Sequence, residues 1–120
     1  MRSDRLKIYL DEMEQVSSEI ITFLGDMSHE HFLQDVLTQR AVGMNLLIVG
    51  EASVRLAEEY PEFVVDHPEV PWVGIRGMRN RIAHGDLGID LDTVWNTSKI
   101  AIPELLDRLR ALRNWRAQGE

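Results

Sequence analysis

Cysteine is absent from the chain, which excludes a disulfide scaffold, a thiolate zinc site and a cysteine nucleophile. No apolar run approaches the roughly eighteen residues that span a membrane, and the opening MRSDRLKIYLDEMEQ lacks the uninterrupted apolar stretch of a signal peptide. The expectation is a soluble, cytoplasmic protein with no membrane contact. Basic residues are in the minority: 13 Lys and Arg against 20 Asp and Glu leave a net charge of -7. An acidic surface repels phosphate, which argues against nonspecific nucleic-acid binding, and any nucleic-acid role must rest on a local basic site.

What is present is ordinary globular material. The chain has 120 residues, 44% hydrophobic and 28% charged, too apolar for a disordered chain and short enough for one domain over 1–120. A domain of this size buries about two thirds of its unfolded surface, so it needs no covalent staple. No repeat, low-complexity run or linker divides it.

Hydrophobic spacing predicts helices throughout. Leu6, Tyr9, Met13, Val16, Ile20 and Phe23 form one stripe of a helix from about Asp4 to Leu24, closed by Gly25-Asp26. Ser28 is the expected N-cap of a second, long helix. Its apolar face runs through Phe32, Val36, Gly43, Leu46, Leu47, Gly50, Val54 and Ala57 to Tyr60, where Pro61 stops it. Two glycines on that buried face predict a close approach of a neighbouring backbone. The segment 61–71, with three prolines, reads as an irregular loop, and Pro71 suits the first position of a third helix. That helix passes through Trp72, Ile75, Met78 and Ile82 to Gly85. A fourth starts at Asp90 or Asp92 with Leu91, Trp95, Ser98, Ile102, Leu105, Leu109 and Leu112 inward, and Pro103 should kink or divide it. No strand-like alternation appears, so the expected class is all-α, a four- or five-helix bundle with a kinked last helix.

The segment with chemical content is Gly77-Met78-Arg79-Asn80-Arg81-Ile82-Ala83-His84-Gly85-Asp86. On a helix, Arg76, Arg79, Asn80 and His84 fall within an arc of roughly 140°, opposite Met78 and Ile82. Arginine carries a fixed charge on a fork that fits phosphate, and histidine, with an ordinary pKa of about 6.5, moves protons at neutral pH. Such a set can cleave a phosphodiester without metal. The ribose 2′-hydroxyl attacks its own phosphate, histidine handles the proton, and arginine offsets the charge of the phosphorane. On spacing alone, a solvated helix face with a capping histidine is the simpler reading.

Other candidates are weaker. His29-Glu30-His31 has the residue types of a metal cluster, but positions i and i+2 lie on different helix faces, and an exposed first turn is the simpler reading. His67, before Pro68, is expected to be solvated. Glu51 either orients an arginine of the cleft or makes an ordinary surface ion pair. Trp72 and Trp95 read as packing residues of the core or of a dimer. Arg108, Arg110, Arg113 and Arg116 make a basic C-terminal run that suits the helix dipole, with a partner-protein or RNA contact as the alternative. No metal site or cofactor is expected.

Arg79-Asn80-x-x-x-His84 resembles the R-N-x(3)-H form of the HEPN superfamily signature, and more narrowly that of the HepT-like ribonuclease toxins. The resemblance covers nearly the whole chain. Asp4 and Leu6, Arg40-Ala41-Val42 with Asn45-Leu46, Gly50-Glu51-Ala52, Pro71-Trp72, Gly77-Met78-Arg79-Asn80 and Val94-Trp95 sit where that family places similar residues. It implies a helical homodimer whose two signature faces share one cleft and act as a metal-independent endoribonuclease. Arg79 and His84 are then catalytic, and Asn80, Arg76, Arg81 and Glu51 bind or support. It further implies a toxin neutralised by a minimal nucleotidyltransferase antitoxin, in the manner of a type VII toxin-antitoxin pair. One position departs from the pattern: where the family commonly has a tyrosine that the antitoxin modifies with AMP, this chain has Asp86. A carboxylate offers no phenol for that transfer and repels RNA phosphate. The alternative is therefore an impaired HEPN dimer that binds a nucleotide or the antitoxin.

Overall fold

The computed structural model describes residues 2–84 and 90–119, with side chains over 5–82 and 90–112. Every regular element among them is helical. Four long helices, α1 (Arg2–Leu24), α3 (Val36–Glu59), α5 (Trp72–His84) and α7 (Ile102–Gly119), are joined through three short ones, α2 (His29–Gln34), α4 (Pro61–Asp66) and α6 (Leu91–Asn96), and a π turn, Thr97–Ala101. One apolar cluster runs through the bundle from Leu6 to Leu112.

Helix α1 buries Leu6, Leu10, Met13, Val16, Ile20 and Leu24. The predicted stripe holds except at its edges: Phe23 is exposed, Leu10 and Leu24 turn inward, and Tyr9 is half-buried with its hydroxyl donating to Glu59 at 2.5 Å. Burial at steps of three and four drifts around a straight helix, so the stripe shifts by one residue over six turns. Gly25, at φ +49°, ends the helix in the left-handed region.

The expected second helix is in fact two. Ser28 caps α2 by accepting from the amide of His31, but Asp35 leaves helical geometry at φ -107°, ψ 89° and caps α3. Its carboxylate accepts from the amide of Thr38 at 3.0 Å and from the Thr38 hydroxyl at 2.8 Å, and these bonds hold its pKa below the usual carboxylate value. Side chain and backbone compete for the same amides, and here the cap wins. Val36, counted inward on the long-helix reading, is exposed as a result.

Residues 61–66 are the second correction. Pro61 stops α3 and also opens α4, because the amide it lacks has no acceptor in a first turn. Only the stretch from His67 to Pro71 is irregular, and it is anchored where Trp72 Nε1 donates to the His67 carbonyl at 2.9 Å.

Asp90 caps α6, accepting from the amides of Asp92 and Thr93. The last helix is divided as expected. Pro103 cannot donate to the carbonyl four residues back and its ring crowds that carbonyl. The turn before it widens to π geometry, in which the Ile102 amide reaches the Thr97 carbonyl. Val94 is buried and Leu91 and Trp95 only partly so, a one-residue rotation from the expected face. Among the described residues no helix is long and apolar enough to cross a membrane.

Candidate active site

Helix α5 approaches α3 on a stripe through Trp72, Ile75, Arg79 and Ile82. Trp72 is buried, Ile75 and Ile82 pack on the core, and Arg79 is half-buried. An arginine thus occupies a slot where the 3-4 spacing calls for an apolar residue. Met78, expected on that face, is half-buried and lines a cleft that α5 shares with α3 and α7. Gly50 on α3 makes room: a Cβ there would lie 2.2 Å from Arg79 Cβ and 2.7 Å from its Cγ. The predicted close approach of a neighbouring backbone at Gly50 is therefore real: the Arg79 Cα would lie 3.3 Å from that Cβ, with the side-chain stem closer still. At Gly43, also buried, a Cβ would meet nothing within 4 Å.

The residue after that glycine completes the arrangement. Arg79 Nε donates to Glu51 Oε1 at 2.5 Å, and Arg79 Nη1 donates to Asn80 Oδ1 at 2.9 Å. Two acceptors hold the guanidinium plane in one orientation. Among the described residues Nη2 has no acceptor, so part of the fork remains free to donate to an anion. The Arg79 side chain is 29% exposed and that of Glu51 40%. At that exposure the pair adds little to stability, and its structural effect is orientation.

The other residues of the segment are distributed around α5. Arg76 and Asn80 are exposed on the side next to Arg79, whereas Arg81 lies roughly 200° away, on an apolar cleft bounded by α3, the π turn and α7. His84 ends α5, so its backbone continues the helix that carries Arg79 and Asn80. The His84 side chain, Gly85 and Asp86 lie outside the described residues.

The remaining candidates have structural partners. His29 is half-exposed, its Nε2 is 2.9 Å from Asp92 Oδ1, and its ring stacks on Trp95 at 5.2 Å between centroids. His31 lies 3.9 Å from Asp35. His67 is not solvated as expected: its side chain is 17% exposed, its Nδ1 lies 3.0 Å from Glu69, and its ring packs against Phe63. Among the described residues no group of His, Asp or Glu could hold a metal ion. Arg108 pairs with Glu104 and Arg110 with Glu14, while the side chains of Arg113 and Arg116 lie outside the described residues.

A family model described as Ribonuclease HepT-like matches residues 13–112. The chain belongs to the HepT-like ribonuclease family of the HEPN superfamily. A protein of Thermococcus cleftensis named probable ribonuclease HepT is 35% identical over 107 residues, 89% of this chain and 94% of the relative. A protein of Methanocaldococcus jannaschii, named a putative RNase, is 33% identical over 91 residues, 76% of this chain and 73% of its own length. Another so named, from Caldanaerobacter subterraneus subsp. tengcongensis, is 33% identical over 104 residues, 87% of this chain and 90% of the relative. No solved structure gives a significant match. The HepT-like match spans both partners of the Glu51–Arg79 pair and all of α5.

Proposed function

We propose that this HepT-like chain is an endoribonuclease that cuts RNA by attack of the ribose 2′-oxygen on the adjacent phosphorus. The observation that carries this reading is the Arg79 guanidinium, held by Glu51 and Asn80 with Nη2 unpartnered among the described residues, on the helix that ends in His84. A histidine removes the 2′-hydroxyl proton, the new O–P bond forms, and the P–O5′ bond breaks. The leaving 5′-oxygen takes a proton, and the products are a 2′,3′-cyclic phosphate and a 5′-hydroxyl. Arg79 donates to the phosphorane oxygens, where its fixed charge counts most as negative charge grows.

Each chain brings one signature histidine, whereas in-line cleavage benefits from both a base and an acid. A homodimer with a twofold axis beside α5 supplies both, together with a concentration of arginines on an otherwise acidic protein. No step needs a metal ion. Asn80 positions the phosphate or the histidine, and Arg76 extends the cationic surface on the same side of the helix. Regulation by a nucleotidyltransferase antitoxin is part of the reading, with Asp86 in place of the tyrosine that would accept AMP.

The deciding experiment is an RNase assay on purified protein in excess chelator, with His84→Ala as control and the RNA ends determined. Cleavage lost in His84→Ala, with cyclic phosphate ends, is the expected result. Activity that disappears in chelator and returns with magnesium would overturn the mechanism. An inactive chain that still binds a nucleotidyltransferase or a nucleotide would point instead to a binding module impaired at Asp86.

A further inference from the structure

Helix α5 is braced unequally. Among the described residues it packs extensively on α3 alone, and beside that contact a cleft of about 260 Å³, floored by α3, separates it from the π turn and the start of α7. The walls are apolar, with Leu46 and Val49 from α3, Ile75 and Met78 from α5, and Ile102 and Leu105 from α7. Gly74 opens the wall on the α5 side, where an added Cβ would meet nothing within 4 Å. The widened turn that Pro103 imposes, carrying Thr97 and Ala101, forms the opposite side.

The lining contains one charged side chain, Arg81. It is exposed and makes no ion pair among the described residues. Asp90 is near enough to feel its charge, but the Asp90 carboxylate is engaged at the start of α6. It accepts from the amides of Asp92 and Thr93 and from the Thr93 hydroxyl, and these bonds, led by the hydroxyl, hold its pKa low.

Size and charge together select the occupant. A protein interface needs roughly 1,200–2,000 Å² of buried surface, far more than this recess offers, whereas its volume is close to the roughly 300 Å³ at which small-molecule sites begin. Hydrocarbon fits walls of Leu, Ile, Val and Met, and an exposed guanidinium at the edge, without an ion pair among the described residues, selects an anionic head. We propose that the cleft between α5 and the π turn binds a small amphiphilic organic anion of the medium-chain carboxylate class, its hydrocarbon between Val49, Met78 and Leu105 and its carboxylate on Arg81. Such a ligand braces α5 on the side opposite Arg79, so the site acts on the stability of the helix that carries the signature.

The probe is octanoate, with octylammonium and 1-octanol as head-group controls, measured by calorimetry and by thermal melting of the full chain. Saturable binding of octanoate with a rise in Tm is expected, and none of octylammonium. Arg81→Gln should weaken octanoate about tenfold or more, the loss of one charge-assisted hydrogen bond, and leave octanol binding unchanged. Gly74→Leu, and independently Ala101→Leu, should fill the cleft and abolish both while the chain stays folded. The proposal is overturned by absence of saturable octanoate binding, by equal binding of octanoate and octylammonium, or by Leu variants that bind like the parent. It is equally overturned if affinity falls as chain concentration rises, since a second copy would then be covering the cleft. The readout is binding, so a failure of RNA cleavage leaves it standing.

Discussion

Helix α3 faces two neighbours in opposite ways. Toward α1 it presents Val42, Ala52 and Leu56 in a sealed hydrocarbon seam, with buried Asn45 donating to the Val16 carbonyl and to Glu19. Toward α5 it presents a bare backbone at Gly50 and a carboxylate at Glu51, and it receives a guanidinium. The first face is built for density, the second for orientation. Close packing of apolar atoms accounts for most of what holds such a bundle together, while a half-exposed ion pair contributes little stability and fixes one side chain in space. The difference teaches that a residue can lie on the inward stripe of a helix and still belong to the chemistry, as Arg79 does.

Substitutions can break that contrast, beginning with the largest effect. Arg79→Lys keeps the charge and loses the fork, so RNA cleavage should fall by roughly two to three orders of magnitude, as when a transition-state donor is removed, with a thermal midpoint close to the parent's. Parental rates in that variant would show that charge alone matters on this face. Met13→Ala, in the hydrocarbon seam and fully buried, should do the reverse. It should cost about 2–5 kcal/mol of stability by urea unfolding and leave the specific activity of the folded fraction unchanged.

Gly50→Ala tests the boundary between the two behaviours. The added Cβ must displace Arg79 or push α5 away, at a cost of about 1–3 kcal/mol. Activity should fall further than Met13→Ala lowers it at equal stability. A variant with both stability and activity intact would show that the α3–α5 approach is looser than the structure has it.

The smallest effect concerns the caps beside the site. Asp90 caps α6 as a carboxylate, and the Thr93 hydroxyl and backbone amides depress its pKa in the fold. A depressed carboxylate contributes its full stability above the ordinary aspartate pKa and loses it as pH falls through the lower folded value. Asp90→Asn still accepts from the amides, so its urea midpoint should decline less steeply with acid than the parent's. Identical acid limbs would mean that other carboxylates dominate the transition.

Much of this was legible in the residues. The 3-4 spacing located the long helices, Ser28 marked one helix start and Asp90 or Asp92 another, which the structure resolves to Asp90, while Gly25 marked an end and Pro103 a break. The two errors of segmentation, at Asp35 and at Pro61–Asp66, share a cause. Each involves a residue that can both end and begin a helix, and spacing of apolar residues does not register such a boundary when the stripe continues across it. The pattern Asp35-Val36-Leu37-Thr38, a carboxylate cap with a hydroxyl three residues on, was the available signal for the first. The Arg79-Asn80-x-x-x-His84 signature marked the segment with chemical content, but the expected face was rotated: Arg79 is half-buried against α3, and Met78 and Arg81 line the cleft.

By itself, then, the sequence determined the helical class, most of the helix ends, the acidic surface and the residue types available for chemistry. Each of these depends on neighbours within about four positions, where backbone hydrogen bonds and side-chain periodicity act. Only the tertiary structure decided that Glu51, 28 positions before Arg79, is its acceptor, that Gly50 admits its stem, and that a cleft lies open behind α5. Those outcomes depend on how two helices rotate and approach, and that is set by the packing of the whole core.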